Sequence, residues 1–539
     1  MSSLLHRTFL LCLIIVWSAA PIRAQVDFTS SNLPIVLIET DEEIPDEPKV
    51  PGRMRVIDNG SGQRNHVGDS PTGYDGFIGI EVRGASSQSF PKKQYGIETR
   101  DASGDNRNVS ILGMPDENDW VLHAPYSDKT LMRNALAYHM ARATGRYASR
   151  TRWCEVVLNG EYVGVYVMME KVKRDDGRID VNNLKPDETS GDDLTGGYVI
   201  QLDRPDEDGW YSAYPAPYPT SFRPYFQYRE PAADEIVAEQ AAYIQAFMED
   251  FESRMASGDP ADPQAGYPSV IDVGSFVDFM LVNEAARNVD AYRLSTYFHK
   301  DKDSNDPLLH AGPVWDFNIA FGNAYYYDGA DPEGYHYNTR TFNNTQPIPF
   351  WWRELANTEA FRSDMTARWE SLRAGPFQTD ALLAFIDSTA AVLDEAQARN
   401  FRRWPVIGRR VWPNDFVGET YQEEVDYLKG WLSQRLAWLD GSLPVSQEAS
   451  GARGLAVTAA APNPSRGRLS FQVTVDAPQD VRVEVYDTRG RRVTRLHYGP
   501  VLEARRVEWD ASGLASGAYL IRVEGERFLE TQMVTIVAP

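Results

Sequence analysis

The residues best suited to chemistry stand at the ends of apolar runs. Asn288-Val289-Asp290 falls where a helical pattern stops and a strand pattern is about to begin. Asp316 follows the apolar Val314-Trp315 and directly precedes Phe317-Asn318. Carboxylates at the ends of buried elements can face one cleft, hold Mg²⁺ through oxygen, or take a proton from an attacking hydroxyl. Lys92 and Lys93 leave a Gly- and Ser-rich turn that begins at Gly84, a place where an ammonium can pair with phosphate. Glu170 closes a hairpin and can hold such a lysine. Each also has a plainer reading: Asp290 as a turn cap, Asp316 as an acceptor for nearby amides, Glu170 as a surface charge. Spacing alone leaves both open.

Other chemistries lack their signatures. The chain has no GxxxxGK[ST] phosphate loop, no GxGxxG, no HExxH and no GxSxG elbow. Its eight histidines are scattered, so a zinc site has little support. Asp301-Lys302-Asp303-Ser304-Asn305 opens like a calcium loop but lacks the sixth-position Gly and the closing Glu, and reads as a hydrated turn.

The elements that must position these residues follow from periodicity. Strands are predicted at Leu33–Ile38, Phe77–Arg83, Gln94–Thr99, Gly197–Leu202 and Leu294–Lys300. Asn159-Gly160, between Trp153–Leu158 and Tyr162–Met169, predicts a hairpin with a type I′ turn. Helices are expected from about Lys129 to Thr144, capped by Ser127 or Asp128, at Pro231–Ala256, at Asp272–Arg287, and within Phe350–Asp440. Beyond a small, polar linker at Ser442–Gly454, short strands alternate with turns as in a β-sandwich.

Bulk properties bound the function. A chain of 539 residues with 42% hydrophobic residues builds a substantial core. The net charge of −23 argues against nucleic acid and anionic membranes as partners. Met1–Ala24 has the layout of a secretory signal peptide, and no later stretch has the length of a membrane helix. Of the two cysteines, Cys12 lies in that signal, so the mature chain keeps Cys154 alone and forms no internal disulfide.

From about Leu33 to Asp440 the sequence resembles the CotH family, atypical protein kinases first known from bacterial spore coats. The likeness is carried by several segments in order: Val82-Arg83-Gly84-Ala85-Ser86-Ser87 with Phe90-Pro91-Lys92-Lys93, Leu131-Met132-Arg133-Asn134, Val157-Leu158-Asn159-Gly160, Asn288-Val289-Asp290, and Gly312-Pro313-Val314-Trp315-Asp316-Phe317-Asn318. The resemblance implies an α+β chain: a kinase-like domain over 33–441, a linker at 442–454 and a small all-β sandwich over 455–539. It implies ATP with Mg²⁺ or Mn²⁺ as cofactors, and serine on secreted or surface proteins as the acceptor. Asp290 would be the catalytic aspartate and Asp316 the metal-binding one, joined by Asn318 and Ser295. Lys93, or else Lys92, would pair the phosphates with Glu170 as its partner, and Arg83 would also face the nucleotide. Two departures stand out, because many relatives have Asn where Ser295 stands and a second Asp at Asn318. Serine and amide oxygens offer a metal less charge than a carboxylate does, which opens the way to a pseudokinase.

Residues 455–539 resemble the C-terminal sorting domain of type IX secretion, through Ala461-Pro462-Asn463-Pro464, Val485-Tyr486-Asp487 and Ser516-Gly517-Ala518-Tyr519-Leu520. That likeness implies the type IX machinery as a partner and the cell surface or medium as the destination. An alternative function is a non-catalytic surface protein that binds a glycan or polymer through Tyr325-Tyr326-Tyr327 with Trp351-Trp352. A metal-dependent hydrolase using Asp290 and Asp316 is a third reading.

Overall fold

Strand alternation builds the first layer of the molecule. β1 (Ile35–Glu39) sends Val36 and Ile38 into one apolar cluster and Ile35 and Leu37 into another. With β2 (Val50–Ile57), β3 (Tyr74–Arg83), β4 (Gln94–Arg100), β5 (Asp119–His123), β6 (Thr151–Leu158) and β7 (Glu161–Glu170) it forms a closed barrel in the order β1-β2-β3-β4-β5-β7-β6. The barrel closes by parallel pairing of β6 with β1, Ile35 opposite Glu155. β7 reads as a continuous apolar run because both its faces are covered. Tyr166 and Met168 fill the barrel while Val165, Val167 and Met169 meet the helical core. Asn159 (φ 49°) and Gly160 (φ 79°) make the predicted two-residue turn between β6 and β7.

The computed structural model describes residues 26–217, 222–339, 346–443, 455–458, 460–475, 479–487, 492–502, 504–524 and 529–537. The expected signal at Met1–Ala24 and most of the expected linker lie outside the described residues. The chain divides into two units, Met1–Val445 and Ser446–Pro539.

Helix α1 (Arg133–Ala143) begins four residues later than its pattern suggests. Asp128 does not cap it. Its carboxylate instead takes the amides of Thr130 and Arg133 and the Arg133 guanidinium, folding residues 128–132 into a turn with Leu131 at φ 63°. After the barrel come β8 (Tyr198–Leu202), β9 (Gly209–Tyr211), β10 (Tyr225–Glu230), α2 (Ala238–Met255), α3 (Val273–Ala286), β11 (Thr296–Lys300) and β12 (Leu309–Ala311). The strands form a second sheet in the order β9-β10-β8-β11-β12. Asp272, the first residue of the expected helix, instead caps α3 by accepting the Ser275 amide at 2.6 Å. α2 starts only at Ala238, because residues 231–235 form turns.

Four helices complete the unit: α4 (Phe350–Asn357), α5 (Glu359–Arg373), α6 (Thr379–Arg403) and α7 (Tyr421–Ser442). Trp351 and Trp352 on α4 are wholly buried against Phe276, Phe279 and Phe298, so they are core and not a binding face. At the C-terminal end of α3, buried Glu284 pairs with buried Arg435 of α7 at 3.1 Å and takes the amides of His336 and Tyr337. The Arg435 guanidinium also donates to the carbonyls of Pro332 and Gly334, so both charges are fully used. This pair locks α7 beneath the segment that carries Asp290.

The second unit is all-β: β13 (Leu455–Val457), β14 (Arg468–Val475), β15 (Gln479–Asp487), β16 (Arg492–Val501), β17 (Ala504–Asp510), β18 (Gly517–Glu524) and β19 (Leu529–Ile536). A three-stranded sheet, β13-β14-β17, and a four-stranded one, β16-β15-β18-β19, share one core with Phe471, Val483, Trp509 and Ile521. Among the described residues, no helix is long and apolar enough to cross a membrane.

Glu252 of α2 is buried, with both carboxylate oxygens 2.8 Å from Ser212 Oγ. Burial raises its pKa from 4.5 to about 7. Within that window the folded chain keeps a proton that the unfolded chain releases, so stability falls as pH rises. Glu252→Gln should remove this slope, which approaches about 1.4 kcal/mol per pH unit for one proton. Urea melts across the window should show a sloping wild type and a flatter variant; equal slopes would contradict the assignment.

Candidate active site

A cavity of about 660 Å³ opens between the barrel and the helical layer. The turn after β3 roofs it and the segments carrying Asp290 and Asp316 form its floor and wall. Gly84 makes the roof turn possible: it sits at φ 100°, and a Cβ there would meet Ser87 Oγ at 2.1 Å. A second cavity of about 850 Å³, lined by Asp203 and Arg204, shares Arg83, Ser295 and Asp316 with the first. Of the ten non-glycine residues at positive φ among the described residues, seven lie between Arg287 and Asp328, including Ser295 and Asp316. Such strain persists only where surrounding structure over-determines the backbone.

The Asp316 turn is held from three sides. The Phe317 amide donates to Asn134 Oδ1 of α1 at 2.7 Å, the Asp316 amide to Tyr138 Oη at 3.3 Å, and Asn288 Nδ2 to the Asp316 carbonyl at 3.2 Å. Tyr138 stacks on Trp315 at 5.9 Å. Asn134 Nδ2 in turn donates to His123 Nε2, whose Nδ1 donates to Gln94 Oε1 at 2.6 Å. Burial holds the His123 pKa down to about 4, which keeps Nε2 free to accept.

On the floor, Ser295 Oγ lies 3.4 Å from Asp316 Oδ2 and 3.5 Å from Asp203 Oδ2. The Ser295 amide also donates to Asp203 at 3.1 Å. Asp316 keeps accessible surface toward the cavity, while protein packs densely around the rest of its carboxyl. That crowding raises its pKa to about 6, with Asp203 and Asp290 adding to the rise and Arg83 opposing it. The Arg83 guanidinium lies over the Trp315 ring at 5.7 Å. Asp290 Oδ1 accepts from Arg293, which lies over the Tyr327 ring. Asn318 lines the same cavity.

A model of CotH kinase proteins matches residues 80–439, and a secretion-system C-terminal sorting domain matches residues 460–537. The chain belongs to the CotH kinase family. Its sorting domain is of the type IX kind, which directs export to the cell surface or beyond. No curated protein matches the chain closely enough to count as a relative.

In this CotH-family chain the structure gathers Arg83, Asp290, Ser295, Asp316 and Asn318 around one cleft, and leaves Lys92, Lys93 and Glu170 out of its lining. Lys93 Nζ turns back to the Gln88 carbonyl of its own turn at 2.5 Å. Lys92 is buried between the barrel and α6, donating to the Val165 carbonyl and to Asn400 Oδ1, and burial lowers its pKa to about 7. Glu170 is paired with Arg150, at 2.7 Å from Nη1 and 2.8 Å from the amide, so the expected Lys93–Glu170 pair is not formed. Asp203 and His123 escaped the sequence reading. Asp203 carries the same signal as Asp316, a carboxylate directly after apolar residues, here those of β8.

Glu170→Ala should cost about 2 kcal/mol, since it strands the buried Arg150 amide and breaks a half-buried ion pair. Lys93→Met should leave stability near wild type. Thermal melts check the pair; equal stability in Glu170→Ala and wild type would contradict the Arg150 pairing.

Proposed function

We propose that the chain transfers the γ-phosphoryl group of ATP to a hydroxyl, the serine of an exported or surface protein being the acceptor class that the family implies. The observation that carries this reading is the meeting of Ser295 Oγ with Asp316 and Asp203 on the floor of a cavity whose wall holds Asp290. Phosphoryl transfer asks of a protein chiefly positioning and neutralisation of charge, and these are what the site offers.

The donor set suits a hard cation. Among the described residues, no cluster of three or more His, Cys, Asp and Glu is close enough to hold a metal. Two carboxylates bridged by a hydroxyl remain, all oxygen, which fits Mg²⁺ or Mn²⁺ completing its shell with substrate phosphates and water. Asp316, Asp203 and Ser295 would hold it, with Asn318 beside them, and the ion would neutralise phosphate charge. Arg83 faces the phosphates in the place expected of Lys93. Asp290, oriented by Arg293, takes the acceptor proton. Ser295 in place of Asn exchanges one neutral oxygen ligand for another, Asn318 in place of Asp removes one negative charge, and Asp203 supplies a carboxylate from the end of β8.

Asp316→Asn and Asp290→Asn should each lower labelled phosphate transfer by at least about 100-fold. Both variants should still fold, because neither carboxylate is fully enclosed. Asp316→Asn should also weaken metal-dependent ATP binding, whereas Asp290→Asn should leave it within a few-fold. Transfer at the wild-type rate in Asp316→Asn would refute the proposal.

A further inference from the structure

One mouth of the cleft carries an aromatic platform that phosphoryl transfer does not use. Tyr325 is 53% exposed and Trp412 47%, although both are large and apolar. Tyr326 stacks on Trp412 with centroids 6.2 Å apart and planes at 16°, and Tyr325 stands edge-on to Tyr326 at 5.7 Å. All three rings line the cavity that holds Asp290 and Asp316.

The platform is built into the fold. The Tyr325 amide donates to the Pro413 carbonyl at 3.1 Å, and the Asp415 amide to the Asn323 carbonyl at 3.1 Å. Asn414 Nδ2 donates to Asn323 Oδ1 and to the Ser127 carbonyl, both at 2.7 Å, and Asn414 is buried. Two loops far apart in sequence are thereby laced so that their rings stay in water. Rings held exposed beside a polar cavity mark a binding surface.

Its chemistry selects the occupant. Tyr325 and Trp412 keep about half their surface open beside the half-buried Tyr326, so they suit a flat ligand and not an anchoring side chain. A pyranose packs the C–H side of its ring on an aromatic face and turns its hydroxyls outward. Ser127, Gln346 and Asn318 stand around the same cavity as polar neighbours for those hydroxyls. An extended peptide would want an unpaired strand edge, and the barrel strands that reach this cavity are closed on both sides. We infer that this mouth is a saccharide subsite, seating a sugar on Trp412 and Tyr326, and that the enzyme thereby selects glycan-bearing acceptors. The acceptor role rests on the phosphotransfer reading; the sugar site itself does not.

The test uses the full exported chain and short oligomers of glucose, mannose and N-acetylglucosamine, on an array and then by calorimetry without nucleotide. Binding should appear, and Trp412→Ala should weaken it at least tenfold while ATP affinity changes less than twofold. Tyr325→Ala, at a more exposed position, is the second variant and should weaken sugar binding by a smaller factor. A blank array, or sugar binding indifferent to Trp412→Ala, would overturn the inference. So would transfer to unglycosylated serine peptides whose KM rises in Trp412→Ala, which would make the platform a peptide subsite. Failure of ATP to bind the wild type would show in its own titration and would count against phosphotransfer alone.

Discussion

The Phe317 amide has one partner, Asn134 Oδ1, and through it the floor of the cleft is tied to the barrel. Asn134 also reaches His123 on β5, and His123 reaches Gln94 on β4, so a single relay runs from two barrel strands through α1 to the Asp316 turn. Its direction depends on His123 staying neutral, and the dry interior sees to that. Without the relay, the turn that holds Asp316 at φ 60° would lose the shortest of its three supports. The barrel, α1 and the Glu284–Arg435 lock below α3 are therefore one device for holding two carboxylate segments opposite each other.

That device concentrates negative charge. Asp203, Asp290 and Asp316 all press on the cleft, and Arg83, Arg204 and Arg293 compensate in part. On the phosphotransfer reading, a hard cation would join the carboxylates and the guanidiniums would face phosphate. The two lysines of the roof turn are engaged elsewhere: Lys92 seals α6 to β7 and Lys93 returns to its own turn. On the same reading, Arg83 would be the planar, permanently charged partner of the phosphates.

What could be read in the sequence was whatever follows from position in an element. Asp290 and Asp316 stood out because a carboxylate ending an apolar run must face a boundary. The Asn159-Gly160 hairpin followed from a local rule. The errors came where side-chain direction decides. Lys92 and Lys93 are adjacent, and a one-residue alternation sends one into the core and turns the other onto its own turn. Trp351 and Trp352 look like a sticky pair until α4 buries both. Glu170 carries a charge, and only the fold reveals Arg150 as its partner. His123 left no sequence signal, since a lone histidine in a strand has no spacing to betray it.

On the phosphotransfer reading, nucleotide and metal bind between the roof turn and the two carboxylate segments. Hydrogen exchange of the full chain, with and without ATP and Mg²⁺, tests it most directly. Protection gained over residues 83–90 and 290–318, and lost in Asp316→Asn, is the expected result. Exchange unchanged in those segments, or protection confined to other parts of the chain, would contradict the account.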